Sequence, residues 1–396
     1  MTDAIVTLNA GSSSLKFALY EKEDEGLRLM AKGQIEGLPD APHMRATAPD
    51  GTVLTEHRWD TGRSWEHEDF LSGLLDWIGD HLDGDRLAAA GHRVVHGGAE
   101  FSGPVRVDQA MLDRLARLNP LAPLHQPHNL AAIRAILAVR PDLPQIACFD
   151  TAFHHTMPDI ATRFALPPEF AAAGVRRYGF HGLSYDHIAR HLRQTDPDLA
   201  RGRVVACHLG NGASLCAMRD GRSVETTMGF TTLDGLVMGT RCGGIDPGVV
   251  LYMMQGMGLD AEHIEEILYR RSGLLGASGG LASDMRDLLA STDPRAEKAI
   301  DLFVYRIVRE IGALTSVLGG LDGLVFSAGI GEHAPRIRER VCAGLAWLGA
   351  ELDRDANIEG REIINRPLSQ LELRVISADE ELTIARQTRD LLELAA

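Results

Sequence analysis

Between residues 7 and 20 an apolar run reaches Asn9, breaks at Gly11, Ser12, Ser13 and Ser14, and resumes from Leu15 to Tyr20. Two short apolar runs split by a small polar turn predict a hairpin of two strands. The pattern returns at residues 204–218 around Gly210, Asn211 and Gly212, and setting Ser14-Leu15 over Ser214-Leu215 aligns the two turns without a gap. One copy alone predicts an ordinary hairpin. Two copies, at the same place in two halves, predict a duplicated core with a phosphate held between them.

Further strands are expected over residues 26–34 and 52–58. Phe70, Leu71, Leu74, Leu75, Ile78 and Leu82 recur at helical spacing, with Asp83-Gly84 as the stop. A buried strand over residues 88–95 opens into His96-Gly97-Gly98. Helices follow around Met111–Leu118 and over residues 129–139, the latter stopped at Arg140-Pro141. A strand over 145–149 presents Asp150 at its end. In the second half, Ser184 is expected to cap a short helix, and Asp246-Pro247 to start another. A long amphipathic helix covers residues 296–318. A strand over 324–326 feeds a glycine-rich junction, another spans 371–376, and a last helix starts near Asp379.

A chain of 396 residues is about twice a typical single domain, so two domains are expected. The formal net charge of −15 argues against non-specific binding to nucleic acid or an anionic membrane. It leaves an anionic substrate open, because a few local arginines decide a pocket. Five scattered cysteines without a C-x-x-C pair, and no signal peptide or spanning run, point to the cytoplasm.

The first turn's Gly11 and its serine hydroxyl and N–H donors suit phosphate oxygens, and Lys16 adds a cation. Three more stations stand out. Arg93 lies in GHRVVHGG, Arg241 in MGTRCGG, and SAGIGEH (327–333) forms a strand–loop–helix junction whose N–H groups suit a nucleotide phosphate. Arg93 suits a bidentate grip on carboxylate or phosphate oxygens, with a structural salt bridge as the plainer alternative. His181 in RRYGFHG fits a satisfied core histidine as well as a site residue. Glu380 fits a capping box with Ser377. His154-His155 invites a zinc reading, but no carboxylate or cysteine nearby completes a ligand spacing.

Taken together, LNAGSSSLKF, GHRVVHGG, APLHQPHN, CFDTAFHHTMP, RRYGFHGLS, HLGNGASL, MGFTTLDGLVMGTR, FSAGIGEH and ADEEL follow one another as in the acetate kinases, which this chain resembles over essentially its whole length. The resemblance implies an α/β fold of two duplicated actin-like (ribonuclease H-like, βββαβαβα) domains around a nucleotide cleft. It implies a first domain over 1–150 completed by a helix at 380–396, a second over 151–379, and a homodimer joined through the second. The implied reaction is reversible phosphorylation of acetate, or another short-chain carboxylate, by ATP with Mg²⁺ (or Mn²⁺). Asn9 and Glu380 match the magnesium-linked residues, and Lys16 the nucleotide-site lysine. Asp150 matches the catalytic aspartate, and Arg93 and Arg241 the arginines that hold the carboxylate and the moving phosphoryl group. His181 matches the histidine that stabilises the transition state. The ATP segments correspond to His208, Leu209, Gly210, Asn211 and Gly212, to Asp284, Met285 and Arg286, and to Gly329, Ile330, Gly331, Glu332 and His333. Val95, Leu124 and Phe180 line the implied pocket for the acid's methyl group.

Thr232 replaces a proline that helps line that pocket, which keeps propionate or butyrate open as acceptor. Cys242 and Gly244 replace a serine and an aspartate in the Arg241 loop. The reading from a different class is a nucleotide-driven chaperone or actin-like binding protein. It gives no reason for Arg93, His181 and Arg241 together. A small carboxylic acid is already ionised at neutral pH, so Asp150 is expected to orient Mg²⁺ or an arginine, with proton transfer as the weaker option.

Overall fold

The structure, a computed structural model, describes residues 3–11, 14–24, 26–37, 42–59, 67–82 and 86–394. Ser12 and Ser13 of the first turn, and the Asp83-Gly84 stop, lie outside the described residues. The chain divides into one unit of Met1–Phe153 with Asp379–Ala396, and a second of His154–Ala378.

The first unit contains β1 (Asp3–Ala10), β2 (Ser14–Glu23), β3 (Gly26–Glu36), β4 (His43–Thr47), β5 (Val53–Arg58), β6 (Arg86–Val94), β7 (Val105–Arg106) and β8 (Gln145–Phe149). They form one sheet in the order β5-β4-β3-β2-β1-β6-β8-β7. The second unit's β9 (Arg203–Leu209), β10 (Ala213–Arg219), β11 (Arg222–Thr226), β12 (Gly323–Ser327) and β13 (Glu372–Val375) take the order β11-β10-β9-β12-β13. In both sheets antiparallel strands run outward from the first, β2 to β5 from β1 and β10 and β11 from β9, and two parallel strands follow on its other side, with β7 as a further antiparallel edge in the first sheet. This is the duplicated α/β core.

The two hairpins are not gapless copies. Leu15 pairs with Ala10, but Leu215 pairs with Cys207, where the overlay of the turns puts Gly210, three residues away. Ser14-Leu15 repeats as Ser214-Leu215, but the strand registers that flank the turns do not.

Strand periodicity explains how the first unit buries both sheet faces. Ala4, Val6, Leu8 and Ala10 of β1 join Leu15, Phe17 and Leu19 of β2 in a core with Phe70, Leu71, Leu74, Leu75 and Ile78 of the helix His67–His81. The alternate positions Ile5, Ala18 and Tyr20 pack on Ala385 of the helix Glu380–Leu394. That second face carries the chemistry described below.

Two helix starts differ from expectation. Ser184 lies inside the helix Gly182–Thr195, whose N-cap is His181 at φ 59°, so its hydroxyl is spent elsewhere. The last helix is capped by Asp379, whose carboxylate accepts from the Leu382 N–H at 2.8 Å; Ser377 is not the cap. The stop at Arg140 and the Asp246 cap, accepting from the Gly248 N–H at 2.8 Å, are as expected.

Three buried histidines tie stability to pH. Burial pushes His92, His96 and His154 down to about 4, against an ordinary value of about 6.5. Between those values the unfolded chain binds up to three more protons than the native one, so stability falls as pH falls. Each contributes up to about 1.4 kcal/mol per pH unit inside the window. A urea midpoint flat above pH 7 and dropping steeply between pH 6.5 and 4 is expected; a flat midpoint through that window contradicts it.

Candidate functional site

In the first unit the site grows from strand ends. Asn9 and Lys16 are cross-strand partners in the β1–β2 ladder, so they share a face. Arg93 near the end of β6 and Asp150 just past β8 sit on neighbouring parallel strands. Glu380, first residue of the helix on that face, completes the set.

Arg93 is the hub. Its Nη2 donates to Asp150 Oδ2 at 2.6 Å and its Nε to the two carboxylate oxygens at 3.1 and 3.2 Å. Its Nη1 reaches Asn9 Oδ1 at 3.3 Å, and its Nε lies 3.6 Å from a Glu380 oxygen. Burial by itself would pull the guanidinium's pKa down, but Asp150 and then Glu380 hold it above its ordinary value. Asp150 is 1% exposed. A fully charged arginine, gripped from one side, is thereby fixed in place.

Val95 and Leu124, expected to line a methyl pocket, lie next to this hub in sequence and on the loop before the helix Gln126–Val139. That helix carries two residues that sequence reasoning missed. Asn129 accepts from the Val95 N–H at 3.0 Å and donates to the Ala10 carbonyl at 2.6 Å, tying the ends of β6 and β1 together. Gln126 exchanges two hydrogen bonds with the His96 backbone. The signal was the composition of PLHQPHN: amides at the start of an apolar helix have to be bonded when buried.

In the second unit His181, held at its left-handed φ, points its Nδ1 at Ser214 Oγ, 2.8 Å away. Its ring stacks on His208, centroids 4.1 Å apart and planes 18° apart, and Ser184 Oγ meets His208 Nδ1 at 2.9 Å. Gly212 marks where the groups converge: a Cβ there would lie 2.6 Å from Arg241 Nη2 and 3.4 Å from His181 Nε2. Only glycine lets two cation-capable side chains close on this backbone.

Arg241 is anchored by Nη1 donating to the Thr232 carbonyl at 2.8 Å. Its loop is held by backbone. Cys242 N–H donates to Leu268 O, Gly244 N–H to Gly235 O, and Ser272 N–H to Thr240 O, at 3.1, 2.9 and 3.0 Å. None of these uses the side chains in which Cys242 and Gly244 depart from the family, so the loop's fixing survives both changes.

The remaining stations surround the same region of this unit. Gly239 N–H donates to Asn211 O at 3.0 Å, and a Cβ on Gly239 would lie 3.2 Å from Ser283 O, just before Asp284. Asp284 caps the helix Met285–Ala290 and pairs with Arg286, which lowers the aspartate's pKa and raises the arginine's. Ser327 of β12 is registered against His208, so the helix Ala328–His333, with Gly329, Ile330, Gly331, Glu332 and His333, begins beside the end of β9. Leu209, Met285 and Phe180 are buried and serve from inside. The Phe180 carbonyl also meets His154 Nε2 at 2.9 Å, and Ser223 Oγ meets the other ring nitrogen at 2.8 Å. His154 is thus held as part of the scaffold.

Arg338 was not found from sequence. It is 1% exposed and donates to the Gly331 and Glu332 carbonyls at 2.8 and 2.7 Å and to the Asn357 side-chain and backbone oxygens at 2.7 and 2.6 Å. It fixes the helix Ala328–His333 from beneath.

Comparison with known proteins covers nearly the whole chain. A family profile described as Acetokinase family matches residues 4–386. An acetate kinase of Rhodopseudomonas palustris is 54% identical over 395 residues, covering 98% of both chains. Among solved structures, a propionate kinase from Francisella tularensis superposes with a TM-score of 0.91 at 36% identity, covering 98% of this chain and 99% of that one. A Porphyromonas gingivalis acetate kinase superposes with a TM-score of 0.88 at 35% identity, covering 98% and 100%.

Proposed function

Because the chain belongs to the acetokinase family, it carries out the acetate kinase reaction, and we propose how its residues divide that work. The full-length match sets aside the chaperone-like and actin-like alternative. An acetate oxygen attacks the γ-phosphorus of ATP in line, the bond to the ADP oxygen breaks, and acetyl phosphate and ADP leave. The return reaction runs through the same groups.

Such transfer depends on positioning and charge neutralisation more than on covalent help. Arg93 grips the carboxylate, and Arg241 with His181 stabilises the moving phosphoryl oxygens. Asp150 holds Arg93, and its bidentate pair supports that role over proton transfer, since acetate arrives ionised. Lys16, residues 208–212, residues 284–286 and residues 329–333 hold the nucleotide. Val95 and Leu124 of the first unit, and Phe180 and Thr232 of the second, are the residues proposed to meet the acyl chain. The observation that carries this reading is Arg93, held charged by Asp150 and bordered by Asn9 and Glu380.

Asn9 and Glu380 would hold Mg²⁺. An amide oxygen and a carboxylate oxygen are hard donors, and two protein ligands suit a cation that takes phosphates and waters for the rest. Bound there, Mg²⁺ would neutralise phosphate charge.

A homodimer is supported by the helix Pro247–Gln255, in which no residue is buried while Leu251 and Tyr252 are 53% and 64% exposed. Sedimentation velocity reads this directly, and a 43.0 kDa species at micromolar concentration would remove it. Residence in the cytoplasm is supported by five cysteines, all among the described residues, none of which forms a disulfide. No helix among the described residues is long and apolar enough to cross a membrane.

The deciding experiment traps acyl phosphate with hydroxylamine from Mg-ATP and acetate, propionate or butyrate in separate reactions. Product is expected to fall with chain length. A preference for propionate or butyrate would move the acceptor and make Thr232 the residue to exchange. No product from any of the three acids would reject the reading.

A further inference from the structure

Two residues that no role above uses stand directly behind His181. Ser214 Oγ lies 2.8 Å from His181 Nδ1 and 2.5 Å from the Tyr185 hydroxyl. Ser214 and Tyr185 are both fully buried, on β10 and on the helix that His181 caps. The opposite ring nitrogen, Nε2, faces Gly212 beside Arg241. We infer that Ser214, oriented by Tyr185, fixes the tautomer of His181 so that the neutral ring presents Nε2–H to the phosphoryl group.

The inference rests on the reading that His181 stabilises that group, and it follows from counting hydrogens. To help a phosphoryl oxygen, Nε2 has to donate. Arg241, whose Nη2 approaches the same glycine, adds positive charge and so disfavours a second proton on the ring. A neutral ring that donates at Nε2 has to accept at Nδ1. Ser214 has a single hydroxyl hydrogen, which then goes to Nδ1, and its lone pair accepts from the Tyr185 O–H. Burial holds the Tyr185 pKa well above its ordinary value, so the phenol keeps its proton to give. Around this chain His208 stacks on His181 and its backbone bonds to the Tyr185 hydroxyl, His154 meets the Tyr185 ring edge-on at 5.6 Å, and the thiols of Cys207 and Cys216, kept protonated by burial, lie near Tyr185. Both are positioning residues; His181 does the touching.

The test is made on the full-length enzyme. Long-range ¹H–¹⁵N spectra of the imidazole nitrogens are expected to show His181 as the Nε2–H tautomer at neutral pH. Ser214→Ala should lose that single tautomer and lower kcat by about 10- to 100-fold, the scale of outer-shell partners of a functional histidine. KM for acetate and for ATP should stay within about threefold, and Ser214→Thr should restore most of the rate. Tyr185→Phe, which removes only a hydroxyl, should mix the tautomers and give a smaller fall in kcat. Wild-type kcat and an unchanged His181 signal in both Ser214→Ala and Tyr185→Phe would overturn the inference. His181→Gln separates the two levels. Unchanged turnover there would reject the role of His181 itself, whereas a collapse there with silent Ser214 and Tyr185 variants would reject only the positioning role.

Discussion

Asp150→Asn is expected to lower kcat by about 10² to 10³, the scale of a lost transition-state donor, while ATP binding changes only a few-fold. The substitution keeps the side chain's shape and removes its charge. The introduced amide nitrogen would be a donor facing the donors of Arg93, so at least one of the bonds now at 2.6 to 3.2 Å is lost. Arg93 is then held by what remains of that pair and by the longer contacts to Glu380 at 3.6 Å and Asn9 at 3.3 Å, and its guanidinium is freer to turn. A misdirected arginine costs turnover more than nucleotide affinity, because its partner is the acceptor acid. Steady-state kinetics with a separate ATP-binding titration checks the split. Turnover near wild type would remove Asp150 from the mechanism. A solvent deuterium effect on the transfer step itself would instead return it to the role of base, since in the present scheme no proton is in flight.

Arg338→Met is expected to cost about 3–5 kcal/mol of folding stability, as when one partner of a buried charged network is deleted. Methionine fills similar space but cannot donate. The carbonyls of Gly331, Glu332 and Asn357 and the Asn357 amide oxygen would all lose their present donor inside the protein. Burial lowers the Arg338 pKa, so the wild type sustains a desolvated cation there in exchange for four satisfied acceptors. Urea unfolding gives the stability change, and a value under about 1 kcal/mol would contradict the account. Because the network supports residues 329–333, KM for ATP should rise in the variant while KM for acetate changes less.

Much of the fold could be read from the chain, and the failures have identifiable causes. The helix His67–His81 was legible because six large apolar residues, from Phe70 to Leu82, recur on one face, and all six are buried. The strand β8 was legible because QIACF is short, apolar and bounded. β4 was not, since Met44 and Ala46 alternate with His43, Arg45 and Thr47 over too few residues to separate from a loop. Ser184 and Ser377 misled for one reason. A serine near a helix start signals a cap, but only the fold decides whether its hydroxyl turns to its own backbone or to a neighbour such as His208.

The site divides in the same way. Arg93, Asp150, His181 and Arg241 were singled out because a long series of motifs resembles one family. The meeting of Arg93 with Asp150 depends on parallel strand neighbours, which sequence order hides: the two stand 57 positions apart and still share three hydrogen bonds. Arg338 was invisible because it sits among Arg336 and Arg340 in one charged helix segment. Periodicity cannot say which arginine turns inward when every candidate is polar.

The helix Glu380–Leu394 belongs to the first unit although the whole of His154–Ala378 precedes it in the chain. On the ribosome, the second unit is therefore made as one uninterrupted stretch and has all its strands before that helix follows. The first unit is begun before it and finished after it. Until that helix emerges, Ile5, Ala18 and Tyr20 have no cover and Arg93 has no Glu380. A nascent chain arrested before Asp379 would carry His181 and Arg241 with all the strands of the second unit, yet lack half of the Asn9–Glu380 pair. The order of synthesis keeps that pair unformed until the second unit has been made.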